Sequence, residues 1–175
     1  MKIEVYASHA HVHEKDLRGK IVVAIDTLRA TSTIITALSN GCTQVLPVEE
    51  VDEAMELQVT MKESQAVLGG ERHTIKVQGF DFGNSPLEYT PANIMGKTLI
   101  LTTTNGTQAI KKASQASVVY IGALINGITV ASALNKADQD AVLLCAGTGN
   151  NFSLEDVLTA GYIIYRLRRF GGQKG

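Results

Sequence analysis

Asp26 ends an apolar run and is followed by an arginine and a row of hydroxyls: Val22-Val23-Ala24-Ile25-Asp26-Thr27-Leu28-Arg29-Ala30-Thr31-Ser32-Thr33. A carboxylate delivered at a strand tip can bind a divalent cation or attack phosphorus. Thr31 and Ser32 serve equally as helix caps or, with the amides and dipole of a helix start, as part of a phosphate cradle favoured by roughly 0.3–1 kcal/mol. A second stretch, Leu99-Ile100-Leu101-Thr102-Thr103-Thr104-Asn105-Gly106-Thr107, repeats the design with hydroxyls and amides in place of the carboxylate. It reads as an oxyanion cradle or as an Asn-Gly turn. In the third, Leu143-Leu144-Cys145 leads through Ala146-Gly147-Thr148-Gly149-Asn150-Asn151-Phe152 into Ser153-Leu154-Glu155-Asp156. Ser153 and Asp156 also have the spacing of a capping box, and two acids in a first helical turn complement the dipole.

Residues 69–91 add Gly69-Gly70-Glu71-Arg72 and Gly79-Phe80-Asp81-Phe82-Gly83-Asn84-Ser85-Pro86, a dense mixture of acids, an arginine, an amide and two phenylalanines. The stretch has no sustained period and reads as a long loop of the kind that often carries function. His9, His11 and His13 alternate, so on a strand they would share one face and could hold a metal; an exposed amino-terminal edge explains them as well.

These groups need elements to position them. Strand-like runs fall at 2–6, 20–25, 44–48, 66–68, 98–101, 117–121 and 141–145, and helical periodicity at 30–39, 51–64, 106–114, 127–135 and 154–170. Most of the strand runs are apolar throughout, as strands covered on both faces must be. The expected fold is therefore α/β, a three-layer α/β/α sandwich with a mainly parallel sheet. Ligands of such folds bind outside the carboxyl ends of the strands, a rule that selects the three tips around Asp26, Asn105 and Asp156. A length of 175 residues with 45% hydrophobic content suits one domain over 1–175. Gly171, Gly172 and Gly175 follow the last helix as a frayed tail or a truncation point.

Composition excludes several classes. Sixteen basic against 17 acidic residues leave a net charge of -1, with no field to attract nucleic acid or an anionic membrane. Two scattered cysteines make no disulfide framework, and no run reaches the roughly 20 apolar residues of a membrane span, so a soluble protein of a reducing cytoplasm is expected. There is no P-loop, and Gly147-Thr148-Gly149 meets Phe152 where a dinucleotide fingerprint needs glycine. Asp26-Thr27-Leu28 lacks the second aspartate of haloacid-dehalogenase-type phosphatases, and Asn151 stands where a cysteine phosphatase has its arginine.

Ile25-Asp26-Thr27-Leu28-Arg29-Ala30-Thr31-Ser32-Thr33-Ile34, Gly69-Gly70-Glu71-Arg72, Gly83-Asn84-Ser85-Pro86, Thr103-Thr104-Asn105-Gly106-Thr107 and Phe152-Ser153-Leu154-Glu155-Asp156 together resemble one family, 2-phosphosulfolactate phosphatase. The blocks fall in order to about Gly161. The resemblance implies a Mg²⁺-dependent acid phosphatase converting 2-phosphosulfolactate to 3-sulfolactate and phosphate on a route to coenzyme M. It further implies a catalytic set of Asp26, Arg29, Asn105 and Asp156, with Mg²⁺ on acids drawn from Asp26, Glu71, Asp81, Glu155 and Asp156. Arg29 and Arg72 would grip phosphate or sulfonate, and Thr31, Ser32, Asn84, Ser85, Thr104, Asn105, Gly106 and Thr107 would bind substrate oxygens. Family members are generally longer at the carboxyl end, so that portion is expected to be missing here. A phosphatase for another small phosphorylated hydroxy acid and a non-catalytic anion-binding module are the alternatives, and a homodimer is the expected assembly for a chain of this class.

Overall fold

The computed structural model describes residues 1–61, 65–149 and 151–171. Its elements in chain order are β1 (Ile3–Tyr6), α1 (Glu14–Leu17), β2 (Ile21–Ile25), α2 (Ala30–Ser39), β3 (Gln44–Pro47), α3 (Val51–Thr60), β4 (Ala66–Arg72), β5 (Ile75–Lys76), α4 (Pro91–Ile94), β6 (Thr98–Thr102), α5 (Gly106–Lys112), β7 (Val118–Gly122), α6 (Gly127–Ala137), β8 (Ala141–Cys145) and α7 (Leu154–Gly171). Each run expected to be a strand is one, within a few residues at its ends. Residues 62–64 of the expected helix at 51–64, Asn150 of the third tip and the glycine-rich tail at 172–175 lie outside the described residues.

The strands divide between two sheets. One is wholly parallel, ordered β1-β8-β2-β7; the other is ordered β3-β6-β4-β5, parallel except where β5 folds back on β4. Every residue of β2, β6 and β8 is buried, which is why their sequences do not alternate. Val23, Ile25, Leu143 and Cys145 face α6 and α7, where Val130, Ala131, Leu134, Ile163 and Leu167 close one side of the first sheet. Val22, Val142 and Leu144 turn the other way, against Val12, Leu17 and Ala113, which completes the three-layer α/β/α sandwich. In the second sheet Leu99 and Leu101 pack on Ile34 and Ala37 of α2, while Leu68 and Ile100 pack under Val48 and Ala54. Helices α2 and α5 touch strands of both sheets, so the tips of β2 and β6 are drawn to one place.

Two expectations change. His9–His11 is a 3-10 turn capped by the Ser8 hydroxyl, not a strand, so the histidines do not share a face. His9 is buried with Nδ1 2.7 Å from the Ala146 carbonyl oxygen, whereas His11 and His13 point to solvent. The stretch 69–91 is no structureless loop: β4 runs through Arg72 and turns into β5. The glycines that hid this strand are there for close approach. A Cβ on Gly69 would lie 2.2 Å from the Tyr89 hydroxyl, and one on Gly70 would lie 1.9 Å from the Thr102 carbonyl oxygen.

Candidate active site

The carboxyl ends of β2, β4, β6 and β8 open into a cavity of about 390 Å³. Asp26, Arg29, Glu71, Asn84, Thr104, Asn105, Glu155 and Asp156 line it, joined by Leu28, Gly147, Thr148, Gly149 and Ser153, which lie in the quoted tips without an expected ligand role, and by His73 and Thr74, which the sequence did not single out. It is the place where parallel α/β sheets hold ligands.

Asp26 leaves β2 and turns the chain into α2. Its carboxylate takes the Ala30 amide at 3.2 Å, and its own backbone N–H and carbonyl both bond the Thr31 hydroxyl, at 3.1 and 2.7 Å. The carboxyl pKa is pushed up to about 7, first by burial, then by the charge of Asp156 and, less, by that of Glu71, with the Ala30 and Arg29 amides opposing. Gly106 makes room for this group, because a Cβ there would lie 2.5 Å from Asp26 Oδ2 and 2.4 Å from the Ala30 Cβ.

Asp156 is not half of a capping box. It is buried, and its oxygens accept from the Thr27 amide at 2.8 Å and the Gly147 amide at 3.1 Å, tying the β2 and β8 tips together. Burial raises its pKa, and those two amides hold the rise back. Ser153 bonds Thr148 instead, at 2.8 Å between hydroxyl oxygens. Cys145, one step before this loop, has its thiol pushed up to about 12 by burial and by Asp156, so it is no thiolate nucleophile at neutral pH.

Glu71 does for the second sheet what Asp156 does for the first. It accepts from the Thr74 amide at 2.6 Å, the Thr104 amide at 2.7 Å and the Thr104 hydroxyl at 3.1 Å, joining the β4–β5 turn to the β6 tip. His73 and Thr74 form that two-residue turn with φ of 51° and 70°. Asn-Gly is the usual signature of such a turn, and His-Thr carries none, which is why it escaped the sequence reading. Asn105 holds the Gly149 amide on its Oδ1 at 3.2 Å, bridging the β6 and β8 tips.

Several expected ligand-binding residues have their polar groups engaged by the fold. The Thr31 and Ser32 hydroxyls donate to Asp26 and Thr27 carbonyls, each at 2.7 Å. Arg72 donates to the carbonyls of Glu71 and Glu49 and to the Thr102 hydroxyl, and lies off the cavity. Asp81 accepts the Leu68 amide at 2.8 Å and is likewise outside. Ser85 accepts the Glu88 amide on its carbonyl, and Thr107 closes a reciprocal turn with Thr103. A strand tip needs such local bonds to turn into a helix, and short hydroxyl side chains supply them.

The cavity is electrostatically unbalanced. The ion pairs among the described residues join Lys2 and Lys20 to Glu4 and Lys111 to Glu53, all on the surface. Among the described residues, none of the four carboxylates lining the cavity forms an ion pair, and neither does Arg29. Asn84, buried, has a side-chain oxygen with no hydrogen-bond partner.

Fold and cavity define an α/β protein whose strand tips gather carboxylates, backbone amides and an arginine around one cavity. The chain belongs to the 2-phosphosulfolactate phosphatase family: the model described as 2-phosphosulpholactate phosphatase matches residues 6–174. A protein of Caldanaerobacter subterraneus subsp. tengcongensis, named "Probable 2-phosphosulfolactate phosphatase", is 48% identical over 168 residues, 96% of this chain and 70% of its own length. Relatives bearing the same name in Clostridium tetani and Clostridium novyi are 49% and 47% identical, each over 94% of this chain and 70% and 69% of their own lengths. Among the described residues no helix is long and apolar enough to cross a membrane.

Proposed function

We propose that this protein is a Mg²⁺-dependent phosphatase that hydrolyses 2-phosphosulfolactate to 3-sulfolactate and phosphate, in the cytoplasm, as a step toward coenzyme M. The names of its relatives support the substrate. The observation that carries the chemistry is the cluster of unpaired carboxylates sharing one cavity with an unpaired arginine. Four acids would repel a substrate bearing phosphate, sulfonate and carboxylate unless a cation stands between them.

The donors fit Mg²⁺, which is commonly held by one or two carboxylates with water and substrate oxygens completing its shell. Glu71 and Asp156 are already engaged by backbone amides, and Asp81 is outside the cavity. Asp26, which accepts a single amide, Glu155 and the orphaned Asn84 oxygen are the donors left; no three His, Cys, Asp or Glu side chains form a ligand group among the described residues, so water and substrate oxygens would have to complete the shell. Bound there, Mg²⁺ would neutralise the carboxylates and polarise a phosphoryl oxygen.

The chain's own residues do the rest. Arg29, three positions from Asp26, grips phosphoryl oxygens, for which its planar fork is suited. Asn105, its oxygen on Gly149, offers amide hydrogens to the same group. Asp26 in its ionised form either attacks phosphorus, breaking its bond to the sulfolactate oxygen, which leaves and is protonated, with water then hydrolysing the acyl phosphate, or takes the proton of a water that displaces sulfolactate directly. Fluoroberyllate, a mimic of an acyl phosphate, separates the two: a stable adduct on Asp26 marks the first. Phosphate release from 2-phosphosulfolactate, measured with and without Mg²⁺, tests the reading. Release only with the metal is expected; none in either case would leave an anion-binding module, and a better rate on another phosphorylated hydroxy acid would reassign the substrate.

A further inference from the structure

The cavity has two walls, one from the β2 and β8 tips of the first sheet and one from the β4 and β6 tips of the second. On the first stand Asp26 and Arg29, where phosphate is placed by the reading above, on which this inference rests. A substrate with further acid groups needs donors on the other wall. Most polar groups there are occupied: the Thr104 hydroxyl donates to Glu71 and accepts from the His73 amide at 3.2 Å. His73, exposed, lines the cavity, and its imidazole makes no hydrogen bond or ion pair among the described residues.

We propose that His73 is a specificity residue that reads the non-transferred acid group of the substrate, and that Glu71 is the positioning residue that presents it. The backbone is the second observation. Left-handed φ values at a histidine and at a β-branched threonine persist only where surrounding structure over-determines them, and such residues gather at ligand clamps. Glu71 supplies that determination. Its buried carboxylate ties the turn through Thr74 and the second sheet through Thr104. Strand β5 is two exposed residues long and could not hold the turn by itself. The result is a turn whose backbone is set at the cavity mouth before the ligand arrives, so that binding need order only the exposed His73 side chain.

His73→Asn tests this, since asparagine tolerates the left-handed conformation while removing the ring. Losing one charge-assisted contact should lower the ratio of kcat/KM for 2-phosphosulfolactate over p-nitrophenyl phosphate, which has no second acid group, by about tenfold, through KM. Lys76→Ala, on the same hairpin but outside the cavity, should keep the ratio. An unchanged ratio in His73→Asn, or equal loss on both substrates, overturns the proposal. If the wild-type protein releases phosphate from neither substrate, the phosphatase reading fails by itself. Calorimetric titration with 3-sulfolactate then decides: binding weakened about tenfold in His73→Asn upholds the role of the imidazole, and equal binding refutes it.

Discussion

Asp156 and Glu71 are the same device used twice. Each is a buried carboxylate whose oxygens collect amide hydrogens from two chain segments, Thr27 and Gly147 in one case and Thr74 and Thr104 in the other. Their surroundings differ. Both charges raise the pKa of Asp26, Asp156 by more than Glu71, whereas only Glu71 restrains a turn whose backbone is strained. One clamp weighs more on the electrostatics of the cavity and the other on its shape, although the hydrogen bonds alone would not tell them apart.

The largest effect should come from the group between the clamps. Asp26→Asn is near-isosteric and should lower kcat by roughly a thousandfold or more with the fold intact, while full activity would end its assigned role. The same variant reads the electrostatics. Asp26 has a folded pKa of about 7 against an ordinary value of 3.8, so the folded state favours its protonated form. Its contribution to stability is whole below the ordinary value and is lost as pH rises to about 7. The stability gained by Asp26→Asn, measured by urea denaturation, should therefore be larger at pH 8 than at pH 5 by roughly 1–3 kcal/mol.

Asp156→Asn comes next. It keeps one acceptor but sets an NH₂ group against a backbone amide, which should cost about 1–3 kcal/mol of stability. It also removes the charge next to Asp26, so the Asp26 carboxyl should titrate at lower pH in a ¹³C NMR experiment. If that titration does not move, Asp156 is a structural tie only and the contrast with Glu71 disappears. Glu71→Gln should give the smallest effect, about 1 kcal/mol in denaturation, with KM for 2-phosphosulfolactate raised a few-fold and kcat held. A loss in kcat instead would give Glu71 a part in the chemistry.

How much of this was legible in the sequence depended on the kind of signal. The apolar runs 141–145 and 99–101 announced buried parallel strands, and helix 30–39 was recoverable to the residue, because burial and period are written locally. Asp26, Asn105 and Asp156 could be placed near one another from the strand-tip rule alone. The rule could not separate residues that face the cavity from those that build its turns. Thr31, Ser32, Arg72 and Asp81 have suitable chemistry in suitable places, yet neighbouring backbone groups engage their polar atoms first. His73 and Thr74 were missed for the opposite reason, since neither residue type advertises a left-handed turn.

By itself, then, the sequence determined the α/β class, the strand and helix periods, the acid at the end of β2 and, through several ordered motifs, the family. The division of the strands into two sheets was decided only in three dimensions, because an apolar run specifies burial and not a partner. The same holds for the two clamps. Whether a carboxylate becomes a ligand, a nucleophile or a tie depends on which amides reach it and how far it is from the next charge, and those distances exist only after β2, β4, β6 and β8 have been packed side by side.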